Sequence, residues 1–109
     1  MTERDEKVFD ALEIRDTSAH NSTVSDNQHN TAKSIFVLNT LDETVTCQLE
    51  GDRTSVFSTP VDIGSPFDVV ASGREYETVD DYFPFLRLVA TCTTAPTSGD
   101  LTAHIIRAL

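Results

Sequence analysis

Tryptophan is absent, and lysine, glycine, proline and cysteine are scarce: two Lys, four Gly, four Pro and two Cys in 109 residues. Without Trp, the Cys, Trp and Cys signature of immunoglobulin domains is missing. Cys47 and Cys92 are too few for a disulfide scaffold, and with no Cys-x-x-Cys spacing or neighbouring histidine they do not make a zinc site. Both share parity with apolar neighbours, which predicts two buried thiols. Long apolar runs are also lacking. The longest bulky one is "IFVL" at 35–38, far short of the roughly 20 residues of a membrane span. The start, "MTERDEKVFDALEIRD", has no apolar stretch of signal-peptide length, so a soluble chain without a cleaved signal is expected.

Positive charge is the next deficit. Eighteen Asp and Glu face eight Lys and Arg, a formal net charge of −10. Such a surface repels nucleic acid and anionic membranes, so neither is expected as a partner. Many carboxylates with few lysines also fit adaptation to high salt, where the Debye length shrinks to about 3 Å at 1 M and like charges stop repelling.

Chemical motifs are equally sparse. There is no phosphate loop, no dinucleotide fingerprint and no basic stripe with interleaved aromatics. His20, His29 and His104 are scattered, and Asp80 and Asp81 in "VDDYF" lack the graded oxygen spacing of an EF-hand. No metal or cofactor is expected. Ser98, Asp100 and His104 in "TTAPTSGDLTAHI" supply the residue types of a hydrolase triad. However, Asp100 and His104 lie four apart on one expected strand, about 13 Å at strand rise, and Ser98 has no nucleophile elbow. The stretch from Pro96 to Gly99 reads instead as a turn, Gly99 supplying a positive φ. No enzymatic role is expected.

What the chain does have is a period of two. Val45, Cys47 and Leu49 alternate with Thr46, Gln48 and Glu50, and Leu86, Leu88, Ala90 and Cys92 alternate with Phe85, Arg87, Val89 and Thr91. The last segment sets Leu101, Ala103 and Ile105 against Thr102, His104 and Ile106. "SIFVLNT" is apolar on both faces, as a central or doubly covered strand would be. "NTLDE" after it carries turn residues, so 34–39 and 44–50 are expected to form a hairpin. "SPFDVVASG" and "REYETV" read as two further strands, with Phe67, Val69 and Ala71 on one face of the first. The Pro-to-Gly turn is expected to send the last strand back along "PFLRLVATCTT". "KVFDALEIRD" fits strand parity and tolerates a helix; the strand is preferred because the remainder is all-β. "DTSAHNSTVSDNQHNTAK" reads as a long polar loop with a brief edge strand near Thr23 to Ser25. The expected fold is all-β: a single β-sandwich or jelly-roll-like domain of about seven to eight antiparallel strands. Residues 1–32 form an N-terminal arm or edge strand plus polar loop, and residues 33–109 form the sandwich core.

Aromatic density peaks at "DDYFPF", where Tyr82, Phe83 and Phe85 surround a proline. Two readings stand: these rings cap the core at a strand entry, or they anchor an interface. His104, on the face away from Leu101, Ala103 and Ile105, is a better candidate for a subunit contact than for a base.

Taken in order, "KSIFVLNTLDETVTCQLEG", "VVASG" and "DDYFPFLRLVATCTTAPTSGDLTAHI" resemble a loose group of small β-sandwich structural proteins of tailed viruses. The similarity spans about residues 33 to 107 and rests on the order of weak motifs. It implies a virion component without catalytic residues: a capsid decoration, turret or tail-associated protein. With the acid-rich, lysine-poor composition, the resemblance is to a protein from a virus of halophilic archaea. The implied partners are further copies of the chain and the major capsid protein or another virion protein. A carbohydrate-binding or host-attachment module, taking a host glycan on Tyr76, Tyr82 and Phe83, is the alternative.

Overall fold

A computed structural model describes residues 3–26, 33–79 and 83–108. They form nine strands and no helix: β1 (Glu3–Leu12), β2 (His20–Asn21), β3 (Ser25–Asp26), β4 (Lys33–Asn39), β5 (Val45–Asp52), β6 (Val61–Val69), β7 (Gly73–Val79), β8 (Phe85–Thr91) and β9 (Leu101–Ala108). Two antiparallel sheets pack face to face as a β-sandwich. One has the order β1-β9-β4-β7; the other has the order β2-β8-β5-β6, with β3 also paired to β8.

Alternation drives this arrangement. In β5, β8 and β9 one side-chain set (Val45, Cys47, Leu49; Leu86, Leu88, Ala90; Leu101, Ala103, Ile105) is almost wholly buried between the sheets. Removing each large aliphatic side chain from water contributes roughly 1.5–3 kcal/mol. Ile35 and Val37 of β4, Val8, Phe9 and Ile14 near the N-terminus, and Leu41, Ile63, Val69 and Cys92 complete the core. The strand reading of the N-terminal segment is therefore the correct one. β1 lies at a sheet edge beside β9, with register shifts around Val8 and Ala11. Ala11 has φ +52°, and the first irregularity turns both Val8 and Phe9 into the core.

Two expectations about pairing need correction. β4 and β5 are not a hairpin: β4 pairs with β7 and β9, whereas β5 pairs with β6 and β8 in the opposite sheet. Nor does β9 return along β8, because it lies between β1 and β4. In both places turn-forming residues make a crossing between sheets, and local composition does not distinguish a crossing from a hairpin. β4 is a central strand, one of the two arrangements expected of "SIFVLNT", and is covered on one face only. Its outward Phe36 is half-buried, and outward Leu38 is exposed. Ala71 is likewise exposed in the β6–β7 turn and does not extend the Phe67 and Val69 face.

Three crossings meet at one corner. Asn39 is fully buried there. Its side-chain nitrogen donates to the carbonyls of Glu43 (3.1 Å), Val69 (3.0 Å) and Val70 (3.1 Å), and its oxygen accepts the Leu41 amide at 2.9 Å. One amide side chain thus satisfies backbone groups that the crossings remove from strand ladders. The β8–β9 connection docks on the same place. Thr40 Oγ1 donates to the Asp100 carbonyl, and the Asp42 carboxylate accepts from the amide and hydroxyl of Thr97. Gly99 has φ +87°, as expected for the turn, and the reason for glycine goes beyond torsion. A Cβ there would lie 2.0 Å from the Thr40 carbonyl oxygen.

Candidate functional site

The residues that suggested chemistry are dispersed by the fold. Asp100 faces Thr40, whose hydroxyl donates to its carboxylate at 3.0 Å. The Ser98 carbonyl accepts the Asp42 amide, and the Ser98 amide donates to the Asp42 carboxylate. His104 sits on the outer face of β9, with Nδ1 2.7 Å from Asp5 Oδ1 and its ring edge-on to Phe36 at 6.4 Å. The Asp100 carboxylate and the His104 ring thus take different partners, and among the described residues no hydrogen bond joins Ser98, Asp100 and His104 to one another. Among the described residues, no group of three or more His, Cys, Asp or Glu side chains is placed to hold a metal ion.

Of the aromatic cluster, Phe83 and Phe85 are half-buried. Phe83 packs against the core beside Gly51, where a Cβ would meet the Phe83 ring at 2.7 Å. It therefore acts as a cap at a strand entry. Phe85 lies on the outward parity of β8, opposite Asp52 and Asp26. Tyr82, Asp80, Asp81 and His29 lie outside the described residues.

Cys47 and Cys92 are both free and buried. Burial, with lesser contributions from the neighbouring Cys92 and Asp68, pushes the Cys47 thiol up to about 12. Burial raises Cys92 as well. Neither is a reactive thiolate at neutral pH.

Register places the outward residues of each sheet in rows, and the two outer faces differ. Across the β2-β8-β5-β6 sheet lie Asp26, Arg87, Glu50, Asp62 and Asp68, four acids against one base. Arg87 Nε binds Glu50 at 2.8 Å, and its guanidinium lies over the Phe57 ring at 4.5 Å. Across the other sheet one row runs Lys7, His104, Phe36, Tyr76, and a second runs Thr102, Leu38, Arg74. Asp10 flanks the second row on β1, with its carboxylate 3.5 Å from Lys7. In the rows from Asp5 to Asp10, Asp5 and Asp10 balance Lys7 and Arg74, so this stretch of the face carries no net charge in a chain of net charge −10. It also exposes Leu38 (38%) and Tyr76 (59%). Each strand shows the alternation, but which strands adjoin is not written locally, so this face is not legible as a unit from any one segment.

A second feature opens where edge strands β6 and β7 flank the gap between sheets. The cleft, about 220 Å³, is lined by Ile35, Leu49, Ile63, Phe67 and Val79 together with Glu77. β6 bulges here, since Cys47 pairs with Phe67 and Leu49 with Ile63, leaving Gly64 to Pro66 opposite Gln48 alone.

Fold and surface define a two-sheet antiparallel β-sandwich whose distinctive features are surfaces. Solved structures with this fold include the PBSX exported protein XepA, with TM-score 0.72 and 13% identity over 96% of this chain. The chain spans 37% of XepA. The SPBc2 prophage-derived protein YomS matches with TM-score 0.62 and 8% identity over 97% of this chain and 92% of its own. PirA matches with TM-score 0.57 and 13% identity over 96% and 91%. At these identities the likeness is one of fold. No protein-family model and no curated protein matches the chain.

Proposed function

We propose that this chain is a non-enzymatic structural component of a tailed-virus particle, a capsid decoration or turret protein that works as a homo-oligomer on the virion. The observation that carries the reading is the fold likeness to YomS along nearly the whole of both chains. The scattered placement of Ser98, Asp100 and His104 agrees with it. We read the winding of the sheets, with β1-β9-β4-β7 against β2-β8-β5-β6, as a jelly roll, an architecture used in viral capsids. The acid-rich, lysine-poor composition supports a virus of a salt-loving host, with the major capsid protein or another virion protein as the partner. Many weakly bound copies on a symmetric shell hold by avidity.

The test is co-sedimentation. Purified protein is mixed in molar salt with particles of the virus that encodes it, stripped of this component, and pelleted. Recovery in the pellet at a fixed ratio to the major capsid protein is expected. Protein that stays in the supernatant at every salt concentration overturns the reading.

A further inference from the structure

We propose that the outer face of the β1-β9-β4-β7 sheet is a self-association surface, on which a second copy of this chain docks about a two-fold axis parallel to the strands. The inference rests on the reading above that the protein works in multiple copies, and it names the surface that joins them.

Charge selects the face. Two copies at −10 each repel, and the repulsion is least where the local charge sums to zero. Asp5 and Asp10 against Lys7 and Arg74 meet that condition. The opposite outer face, with four acids and one base, does not. Apolar area selects it too, since Leu38 and Tyr76 are exposed and Phe36 and Ile106 are partly so, all on the same side of the same sheet.

Register then selects the geometry. A two-fold axis parallel to the strands reverses their order across the interface, so β1 of one copy faces β7 of the other at the same height. Asp10 lies on β1 level with Thr102, because the neighbouring Ala11 amide donates to Thr102 Oγ1 at 3.1 Å. Thr102 is level with Leu38, and Leu38 with Arg74. Asp10 of each copy therefore meets Arg74 of the other, giving two symmetric ion pairs. In the next row Lys7 meets Tyr76, a cation over an exposed aromatic ring, and His104 meets Phe36. Arg74 makes no ion pair or side-chain hydrogen bond among the described residues. Asp10 holds only the exposed contact to Lys7, with 77% of its side chain accessible, and such pairs are worth little. Four strands at about 4.8 Å spacing give a face about 19 Å wide. Two such faces bury an area near the low end of specific interfaces, about 1,200 Å² in total, so the dimer is reversible.

Sedimentation velocity over a wide concentration range reads the dimer directly. The parent chain is expected to dimerise. Arg74→Asp and Asp10→Arg each place two like-charge contacts in the homodimer and are expected to weaken it by at least about tenfold. Mixing the two variants restores opposite charges at both contacts, so the heterodimer is expected to form about as well as the parent dimer. Tyr76→Lys removes the ring, sets a like charge opposite Lys7 and weakens association in every combination. All three side chains are exposed, and circular dichroism will verify that each variant folds. A chain that stays monomeric, or a dimer indifferent to the swaps, overturns this surface whatever the particle binds. A dimer that obeys the swaps stands even where co-sedimentation fails and the virion reading falls.

Discussion

The crossing corner and the β6–β7 edge are both places where the sandwich stops being regular, yet they are built on opposite terms. At the corner, three connections interlock through Asn39, Thr40, Asp42 and Thr97, with side-chain hydrogen bonds of about 3 Å to backbone groups of a different connection. At the edge, the Gly64 to Pro66 bulge is spanned by Gln48 alone, whose longer contacts reach the Ile63 and Gly64 carbonyls at 3.3 Å. β7 beside it is exposed on both sides through most of its length. Its Glu75 and Glu77 sit opposite buried Val37 and Ile35, on the inward parity. Inward-pointing charges at an open strand are a known device against edge-to-edge pairing. Strength in this fold therefore concentrates where the chain changes sheets, and the side edge is left adaptable.

Two glycines break that comparison most sharply. Gly99 and Gly64 share a positive φ, +87° and +70°. A Cβ at Gly99 collides with the Thr40 backbone, whereas one at Gly64 meets nothing within 4 Å. Gly99→Ala is therefore expected to destabilise by about 4 kcal/mol, torsional strain plus a displaced backbone. Gly64→Ala is expected to cost only the torsional part, about 1 kcal/mol. Urea unfolding of both variants measures the difference. Equal losses would mean that the corner is not the rigid contact described here.

Asn39→Ala comes next. It takes the Asn39 donor from the Glu43, Val69 and Val70 carbonyls, of which Val70 keeps the Gly73 amide, and leaves the Leu41 amide without its acceptor; the Val69 and Leu41 contacts are buried. A loss of about 3 kcal/mol is expected, read as a lowered urea midpoint with an unchanged slope. A loss below about 1 kcal/mol would mean that water replaces the side chain and the corner is open.

These residues also mark how far the sequence could be read. Alternation identified the buried sets of β5, β8 and β9 one by one, because period two is a local property of each strand. Gly99 was recognisable as a positive-φ turn residue for the same reason. The polar segment before β4 gave its brief edge strand almost in place, at Ser25–Asp26. Asn39 was visible only as turn chemistry. Its work depends on Val69 and Val70, some 30 residues away, and on β4 and β5 belonging to different sheets. The outer face of the β1-β9-β4-β7 sheet has the same character: Phe36, Tyr76 and His104 become one row only when β9, β4 and β7 adjoin. Long-range pairing is what single-strand patterns omit, and here it decides both the corner and the candidate interface.

The smallest expected effect concerns pH. The Thr97 hydroxyl, then the Thr97 and Ser98 amides, all donate to Asp42 and hold its carboxyl below the usual carboxylate range. A folded-state value below the unfolded one means that the ionised carboxylate stabilises the fold. That contribution is fully present above the unfolded value of about 3.9 and is lost as pH falls through the lower folded value. Asp42→Asn should therefore be less stable than the parent at neutral pH, and the gap should close as the solution is taken below about pH 4. Asp52 works in the same sense at the far end of β5. Burial opposes its ionisation, but the Thr59, Arg53 and Thr54 amides outweigh it. Because Asp52 is present in both proteins, its titration leaves the difference between them untouched. Urea midpoints of the two chains, measured in parallel across the acid range, separate the Asp42 contribution. A gap that stays constant with pH would mean that the Asp42 contacts at the corner do not depend on its charge.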